Sequence, residues 1–318
     1  MEQGMTVSPL VSVVIPLYNK SAYVEQAVAS ALDAFPRVHE VIVVDDGSTD
    51  DGPQKVRQMH DPRIRLLQQK NRGVSAARNH GIREASGEFI AFLDADDYWT
   101  PNYMPQIHTL IAAYPECDIF ATHYFTFTDE GITGMPRLYA VSRHDKPQLV
   151  TRFFEAWSKG NFFYTCSVVL RRTAFFQHNV FFPENESLGE DQDVWFRLAE
   201  KSPVAYSARP LVAYRIGIDG SLSKKSLDDM PPFIQRLNER YNAGRIPPQH
   251  RKGVARILGL HRLSLAMKYL RRNRLSGWSR GVALLFDPFS IQLPKFWLKI
   301  FMLACLPRPL RLYVIEKL

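Results

Sequence analysis

The sequence predicts an α/β domain on a mostly parallel, doubly wound sheet, followed by a basic helical C-terminal segment. Three observations predict it. Over roughly the first 115 residues, short β-branched apolar runs alternate with amphipathic helical stretches, the pattern of a parallel sheet covered by helices. Two acidic clusters, Asp45/Asp46 and Asp94/Asp96/Asp97, directly follow two of those runs, and parallel sheets bind ligands at the carboxyl ends of their strands. Charge is also segregated. Residues 245–318 carry 15 Lys/Arg against 2 Asp/Glu, and the remaining 244 residues carry 25 against 30.

Val11–Leu17 (VSVVIPL) has the continuous apolar character of a strand buried on both faces. Ser21 is placed to cap a helix to about Leu32, with Val24, Ala27, Val28, Ala31 and Leu32 on one face. Glu40–Val44 is a second buried strand, Gly47 and Ser48 make the turn after it, and Thr49 or Asp50 can cap the next helix. Ile64–Leu67 is a third, shorter strand. Gly73 opens a helix through SAARNHGIREA, and Gly87 is a left-handed stop for it. Phe89–Leu93 is a fourth strand, and Thr100–Pro101 reads as a cap with proline at the first helical position. From about Tyr124 the alternation stops. Cys166–Leu170, Val204–Tyr206 and Leu211–Tyr214 read as strands, Asp191–Lys201 as a short helix, and basic amphipathic helices follow Asn242.

The chain has 318 residues, 46% hydrophobic and 23% charged, ordinary for a globular protein. Its three cysteines lack paired spacing, which fits a reducing compartment and gives no disulfide signal. The N-terminal residues lack a secretory pattern, and no apolar run reaches the ~18 residues of a spanning helix. The expected location is the cytoplasm.

Carboxylates as close as Asp94 and Asp96 repel one another at the edge of an apolar core. A hard divalent cation, Mn²⁺ or Mg²⁺, is the simplest neutraliser, because these ions take oxygen ligands and substrate phosphates together. The alternative is that the aspartates cap the following helix in solvent. The second acidic cluster, after its own strand, favours the cation.

In order and spacing, VSVVIPLYNK, VIVVDDGSTD, GVSAARNHGI, GEFIAFLDADDYW and GEDQDVWFRL resemble the family 2 glycosyltransferases over roughly residues 9–220. The resemblance implies a GT-A fold, a nucleotide-sugar donor and inverting transfer. It makes residues 1–240 the catalytic domain and leaves 241–318 as a basic amphipathic region. Tyr18 would lie against the nucleotide base and the Pro16 backbone would touch it. Asp46 would accept the uracil imide N–H, which points to a UDP-sugar, while Asp45 supports the turn. Arg78 would sit near the diphosphate, and Asn79 caps or braces the loop. Asp94 would meet the ribose or the water shell of the metal, and Asp96 would ligate the metal. Asp191, beside Glu190, would be the general base, a role that suits a partly desolvated carboxylate. Asp193 and Trp195 would shape the acceptor or sugar pocket. The family loop matching Tyr214–Ser223 often carries a histidine, absent here, and Arg215 is the candidate substitute for its charge.

Other readings exist. A nucleotidyltransferase would need a glycine-rich phosphate loop after the first strand, where this chain has PLYNKS. A non-catalytic GT-A binding protein would bind donor without turnover. The segment 271–313 interleaves cations with Trp278, Phe286, Phe289, Phe296, Trp297 and Phe301. Lys295–Leu306 reads as a helix lying in the plane of an anionic leaflet, or as part of a helical subdomain packing its apolar face on the catalytic body. No nucleic-acid motif accompanies the charge, so no nucleic-acid partner is expected. The expected partners are a nucleotide-sugar, a glycan or lipid-linked acceptor in cell-surface polysaccharide assembly, and the inner face of the membrane.

Overall fold

The computed structural model describes residues 9–34, 38–186, 188–218, 229–271 and 275–306. Apolar runs without alternation have no face to offer water, and β1 (Val11–Leu17) and β2 (Glu40–Asp45) are buried along nearly their whole length. They pair in parallel, Ser12 opposite Glu40 through Leu17 opposite Asp45. β3 (Ile64–Gln68) joins β2 and β4 (Phe89–Phe92) joins β1, both in parallel. The crossovers carry α1 (Val24–Leu32), α2 (Gly52–Gln58) and α3 (Val74–Glu84).

β5 (Tyr98–Trp99), α4 (Tyr103–Ala113), β6 (Ile119–Thr128), β7 (Gly131–Gly134), β8 (Gln148–Val150) and α5 (Phe153–Trp157) come next. After them follow β9 (Val168–Arg171), α6 (Arg172–Gln177), α7 (Glu190–Ala199) and β10 (Val204–Arg215). The strand order is β3-β2-β1-β4-β9-β6-β10-β5, with β7 on β6 and β8 on β10. β9 runs against both β4 and β6, and β6 and β10 are parallel. Among the described strands β5, β7, β8 and β9 run against the rest, and the carboxyl ends of β1, β2, β4, β6 and β10 share one edge of the sheet.

Four local expectations change. Ser21 does not cap α1: Tyr23 holds that position, and the Ser21 N–H donates to Asp50 Oδ2 at 2.8 Å. Gly87 is absent from the left-handed glycines. It is required by space, since a Cβ there would lie 2.8 Å from Leu10 O and 2.8 Å from Ser12 N. α4 starts at Tyr103 instead of after Thr100, whose hydroxyl donates to Leu211 O at 3.0 Å. The two strands expected at 204–206 and 211–214 are one strand with irregular pairing between Ser207 and Val212, where Pro210 has no N–H to give.

The chain divides into two compact units, Met1–Thr151 with Gly160–Leu222, and Arg152–Lys159 with Ser223–Leu318. The second holds α5, α8 (Pro232–Asn242), α9 (Pro248–Arg271), α10 (Leu275–Leu285), α11 (Pro288–Ile291) and α12 (Pro294–Cys305). Leu263, Ala266, Leu270, Leu285, Leu293, Ile300 and Ala304 form its buried cluster. α12 thus turns one face onto its own unit, with the Trp297 and Phe301 rings stacked at 4.7 Å and Trp297 Nε1 donating to Leu285 O at 2.7 Å. Glycine lets α9 approach its neighbours closely: a Cβ at Gly253 would stand 2.5 Å from Glu155 N in α5. Among the described residues no helix is long and apolar enough to cross a membrane.

Candidate active site

The carboxyl ends of β1 and β2 are stitched together by the residues that follow them. Asn19, in the left-handed region at φ 51, accepts the Thr49 N–H at 2.8 Å and gives its own N–H to Ser48 Oγ at 3.2 Å. Tyr18 beside it is 47% exposed, an open ring face at the strand end. Pro16 is half-buried within β1. Asp45 accepts the Ser48 N–H at 2.9 Å and Gln68 Nε2 at 3.0 Å, so it holds the turn. Asp46 is buried and accepts three donors: Gln69 Nε2 at 2.8 Å and the backbone N–H groups of Arg72 at 2.9 Å and Gly73 at 2.8 Å. It fastens the entry to α3 and keeps lone-pair capacity for one more donor.

After β4 Asp94 and Asp96 each meet a cation, and Asp97 meets neutral donors. Asp94 accepts Arg78 Nη2 at 2.8 Å. Asp96 accepts Lys20 Nζ at 2.6 Å. Asp97 is buried and accepts the Arg215 N–H at 2.8 Å, the Tyr164 hydroxyl at 3.2 Å and the Cys166 thiol at 3.1 Å. Burial, with Asp94 and Asp96 alongside, pushes Asp97 well above the usual carboxylate range despite the donors from Arg215 and Cys166. Asp97 therefore anchors the turn, and Asp94 and Asp96 stay partly open to solvent at 28% and 21% side-chain exposure.

The opposite wall is the head of α7. Gly189, left-handed at φ 77, starts it, and Glu190, Asp191 and Asp193 fill the first turn, favourable against the helix dipole. Arg78, fully buried, bridges to this wall: its Nη1 lies 3.3 Å from Glu190 Oε1 while Nη2 holds Asp94. Burial pulls against the guanidinium charge, but Asp94 and Glu190 outweigh it and raise the Arg78 pKa. Burial and then Asp191 raise Glu190, with Arg78 opposing. Asp191, half-buried, accepts Thr165 Oγ1 at 3.0 Å and the Gln192 N–H at 2.7 Å. Asp193 is buried beside Arg197 at 3.7 Å, and Trp195 is fully buried among Phe92, Phe163 and Phe182. Trp195 is therefore a core residue and not part of an open pocket wall. Asn79 clamps the approach to α7, donating to Phe182 O at 2.8 Å and accepting the Phe182 N–H at 2.9 Å.

Asp94 and Asp96 offer oxygen atoms of the kind a hard cation takes, and both are paired with side-chain cations, Arg78 and Lys20. Among the described residues, the group with three possible ligand atoms within 4.8 Å of one another is Asp94, Asp97 and Cys166. That set does not suit Mn²⁺ or Mg²⁺, because burial, then Asp94 and Asp97, keep the soft Cys166 sulfur a thiol. Lys20, Tyr164 and Cys166 were not singled out from sequence as site residues. The one signal for Lys20 is a cation directly after the PLYN aromatic. Arg215 departs from its expected role. Its guanidinium is bound to Asp96 O at 3.0 Å, Gln26 Oε1 at 2.9 Å and Asp129, between the rings of Tyr23 and Phe127. It braces the turn from behind. Residues 219–228, including Asp219, Lys224 and Lys225, lie outside the described residues.

A strand edge that carries two acidic clusters, with a buried arginine joining the second of them to an acidic helix head, lies on the sheet of a GT-A fold. The solved structures agree on the fold. S. aureus TarS 1-349, solved in complex with UDP-GlcNAc, superposes with a TM-score of 0.67 at 19% identity, over 87% of this chain and 80% of that one. The model of glycosyl transferase family 2 matches residues 12–176, and the chain belongs to that family. EpsJ of Bacillus subtilis (strain 168), an uncharacterized glycosyltransferase, is 32% identical over 74% of this chain and 68% of its own length. EpsH of the same organism, also named as a glycosyltransferase, is 31% identical over 68% of this chain and 64% of its own length. An uncharacterized glycosyltransferase of Rickettsia felis is 32% identical over 67% of this chain, which spans 32% of that longer protein.

Proposed function

We propose that the chain transfers a sugar from a UDP-sugar to a hydroxyl of a glycan or lipid-linked acceptor, with inversion, in cell-surface polysaccharide assembly. One observation carries the reading: Arg78 joins the donor-side Asp94 and the acceptor-side Glu190 through one buried guanidinium. Tyr18 offers an exposed ring to the base, and Asp46 has capacity left for the imide N–H of uracil. Asp191 takes the acceptor hydroxyl proton as that oxygen bonds to the anomeric carbon. The bond from that carbon to the diphosphate breaks and its electron pair leaves with UDP, so a single displacement inverts the centre. Thr165 orients Asp191, and Glu190 holds Arg78 in place. Lys20, on Asp96, lies where a cation is wanted beside a diphosphate. Mn²⁺ or Mg²⁺ held by Asp96 and Asp94 would supply Lewis-acid stabilisation of the leaving diphosphate.

The basic C-terminal region supports a peripheral position on the cytoplasmic face, where attachment to the leaflet raises the local concentration of a lipid-linked acceptor. Released UDP from a panel of UDP-sugars, with wild type and Asp191→Asn side by side, tests the reaction. The variant should keep UDP affinity and lose transfer by about 10²–10⁴-fold. Transfer at the parental rate would remove the proposed base, and donor binding with no turnover in wild type would favour a binding protein.

A further inference from the structure

The second unit contains a groove that the sugar-transfer reading does not use. It has a volume of about 350 Å³ and lies between α9 and α12. Leu260, Leu263 and Met267 of α9 and Phe296 and Ile300 of α12 make its apolar lining. Lys268 and Arg271 line it as well. Positions 260, 263, 267, 268 and 271 fall on one face of a helix. At 1.5 Å per residue, Leu260 to Arg271 spans about 16 Å. The groove is therefore apolar toward one end and cationic toward the other.

Its surroundings have the same mixed chemistry. On α12, Leu298 and Met302 share one face with Lys295 and Lys299 and are 51% and 56% exposed, and Phe296, on the groove side with Ile300, is 49% exposed. Phe286 and Ile291 are also exposed, at 56% and 53%. Residues 245–318 carry 15 Lys/Arg against 2 Asp/Glu. Exposed apolar side chains interleaved with lysines match the boundary between acyl chains and anionic headgroups.

We infer that the α9–α12 groove takes one anionic phospholipid from the membrane surface, with an acyl chain on the apolar lining and the phosphate against Lys268 and Arg271. Charge complementarity selects an anionic lipid, and the groove's change from apolar to cationic sets the lipid's direction. Phe296 lines the groove and is itself half exposed, so a lipid seated there opens to the surface that α12 offers a leaflet. The inference deepens the peripheral-membrane part of the proposed function by assigning that contact a specific site.

The test is flotation of the full chain with phosphatidylcholine vesicles, with or without phosphatidylglycerol, at fixed salt. Soluble dihexanoyl phosphatidylglycerol and inorganic phosphate serve as separate competitors. Wild type should float with the anionic vesicles alone, and the short-chain lipid should compete where phosphate at the same concentration does not. Lys268→Gln/Arg271→Gln should weaken binding about tenfold or more. Ser264 also lines the groove, and Ser264→Phe, which fills it and leaves every charge in place, should weaken binding too, with the thermal midpoint of both variants unchanged. Wild-type flotation that neither change reduces would overturn the groove and leave peripheral attachment standing. Absence of flotation by wild type would overturn both. UDP titration of the same preparations reads the transferase site independently of either result.

Discussion

The two ends of the parallel sheet treat buried carboxylates in opposite ways. At the amino end Glu40 receives Ser12 Oγ at 2.8 Å, the Ser86 N–H at 2.8 Å, Ser86 Oγ at 2.6 Å and Arg65 at 2.7 Å. Burial alone would raise its pKa, but the donors from Ser86, Arg65 and Ser12 prevail and lower it to about 2. At the carboxyl end, for Glu190 and Asp97, burial is only partly offset. It raises Glu190 and Asp97, and the neighbouring carboxylates add to it. A satisfied carboxylate stabilises a fold. A crowd of incompletely satisfied ones costs stability, and the sheet places that crowd where parallel sheets bind ligands.

Removing the cation that holds the crowded end together should have the largest effect on stability. Arg78→Met leaves Asp94 and Glu190 without their buried counter-charge, and the urea midpoint should report a loss of about 3–5 kcal/mol. Adding Glu190→Gln should recover part of it. No recovery in the double variant would mean that Arg78 acts through packing on Phe182, 5.3 Å from its guanidinium.

The pH dependence should separate the two ends by sign. Glu40 has a folded pKa below its unfolded value of 4.5, so its contribution is full above that value and is lost as the pH falls toward about 2. Glu40→Gln should therefore cost on the order of 2 kcal/mol at neutral pH and progressively less in acid. Glu190 has a raised folded pKa. Its cost is present at neutral pH and relieved on acidification, so Glu190→Gln should not reproduce the loss seen at Glu40. Urea titrations of both variants between pH 3 and pH 7 check this, and parallel behaviour would erase the distinction.

The acidic clusters and the strands before them are legible in the sequence because each is a local pattern: a β-branched run, then aspartates. Their neutralisers are not legible. Lys20 meets Asp96 across 76 positions and Arg78 meets Glu190 across 112, and no local period encodes such pairs. Ser21 looks like a cap, yet its N–H is taken by Asp50, 29 residues away. β10 reads as two strands because Arg209 and Pro210 interrupt its apolar run. The amphipathic character of α12 is plain in the sequence, whereas the choice of which apolar residues face α9 and which remain exposed belongs to packing.

A smaller effect comes from one glycine at each end. Gly87 at the amino end fails on space, since its Cβ would meet backbone. Gly73 at the carboxyl end has open space but sits at φ 88 and ψ 164, a region almost reserved for glycine. Alanine should cost about 1–3 kcal/mol at either position. Only Gly73→Ala should also weaken UDP binding, because its N–H holds Asp46. Equal UDP affinity in both variants would remove Asp46 from the nucleotide site.

Calorimetric titration of UDP into wild type and Asp96→Asn, with and without Mn²⁺, reads the nucleotide site itself. Wild type should bind UDP, Mn²⁺ should tighten the binding, and Asp96→Asn should lose the Mn²⁺-dependent part. No UDP binding by the folded wild-type chain, with or without Mn²⁺, would contradict the proposed transfer from a UDP-sugar.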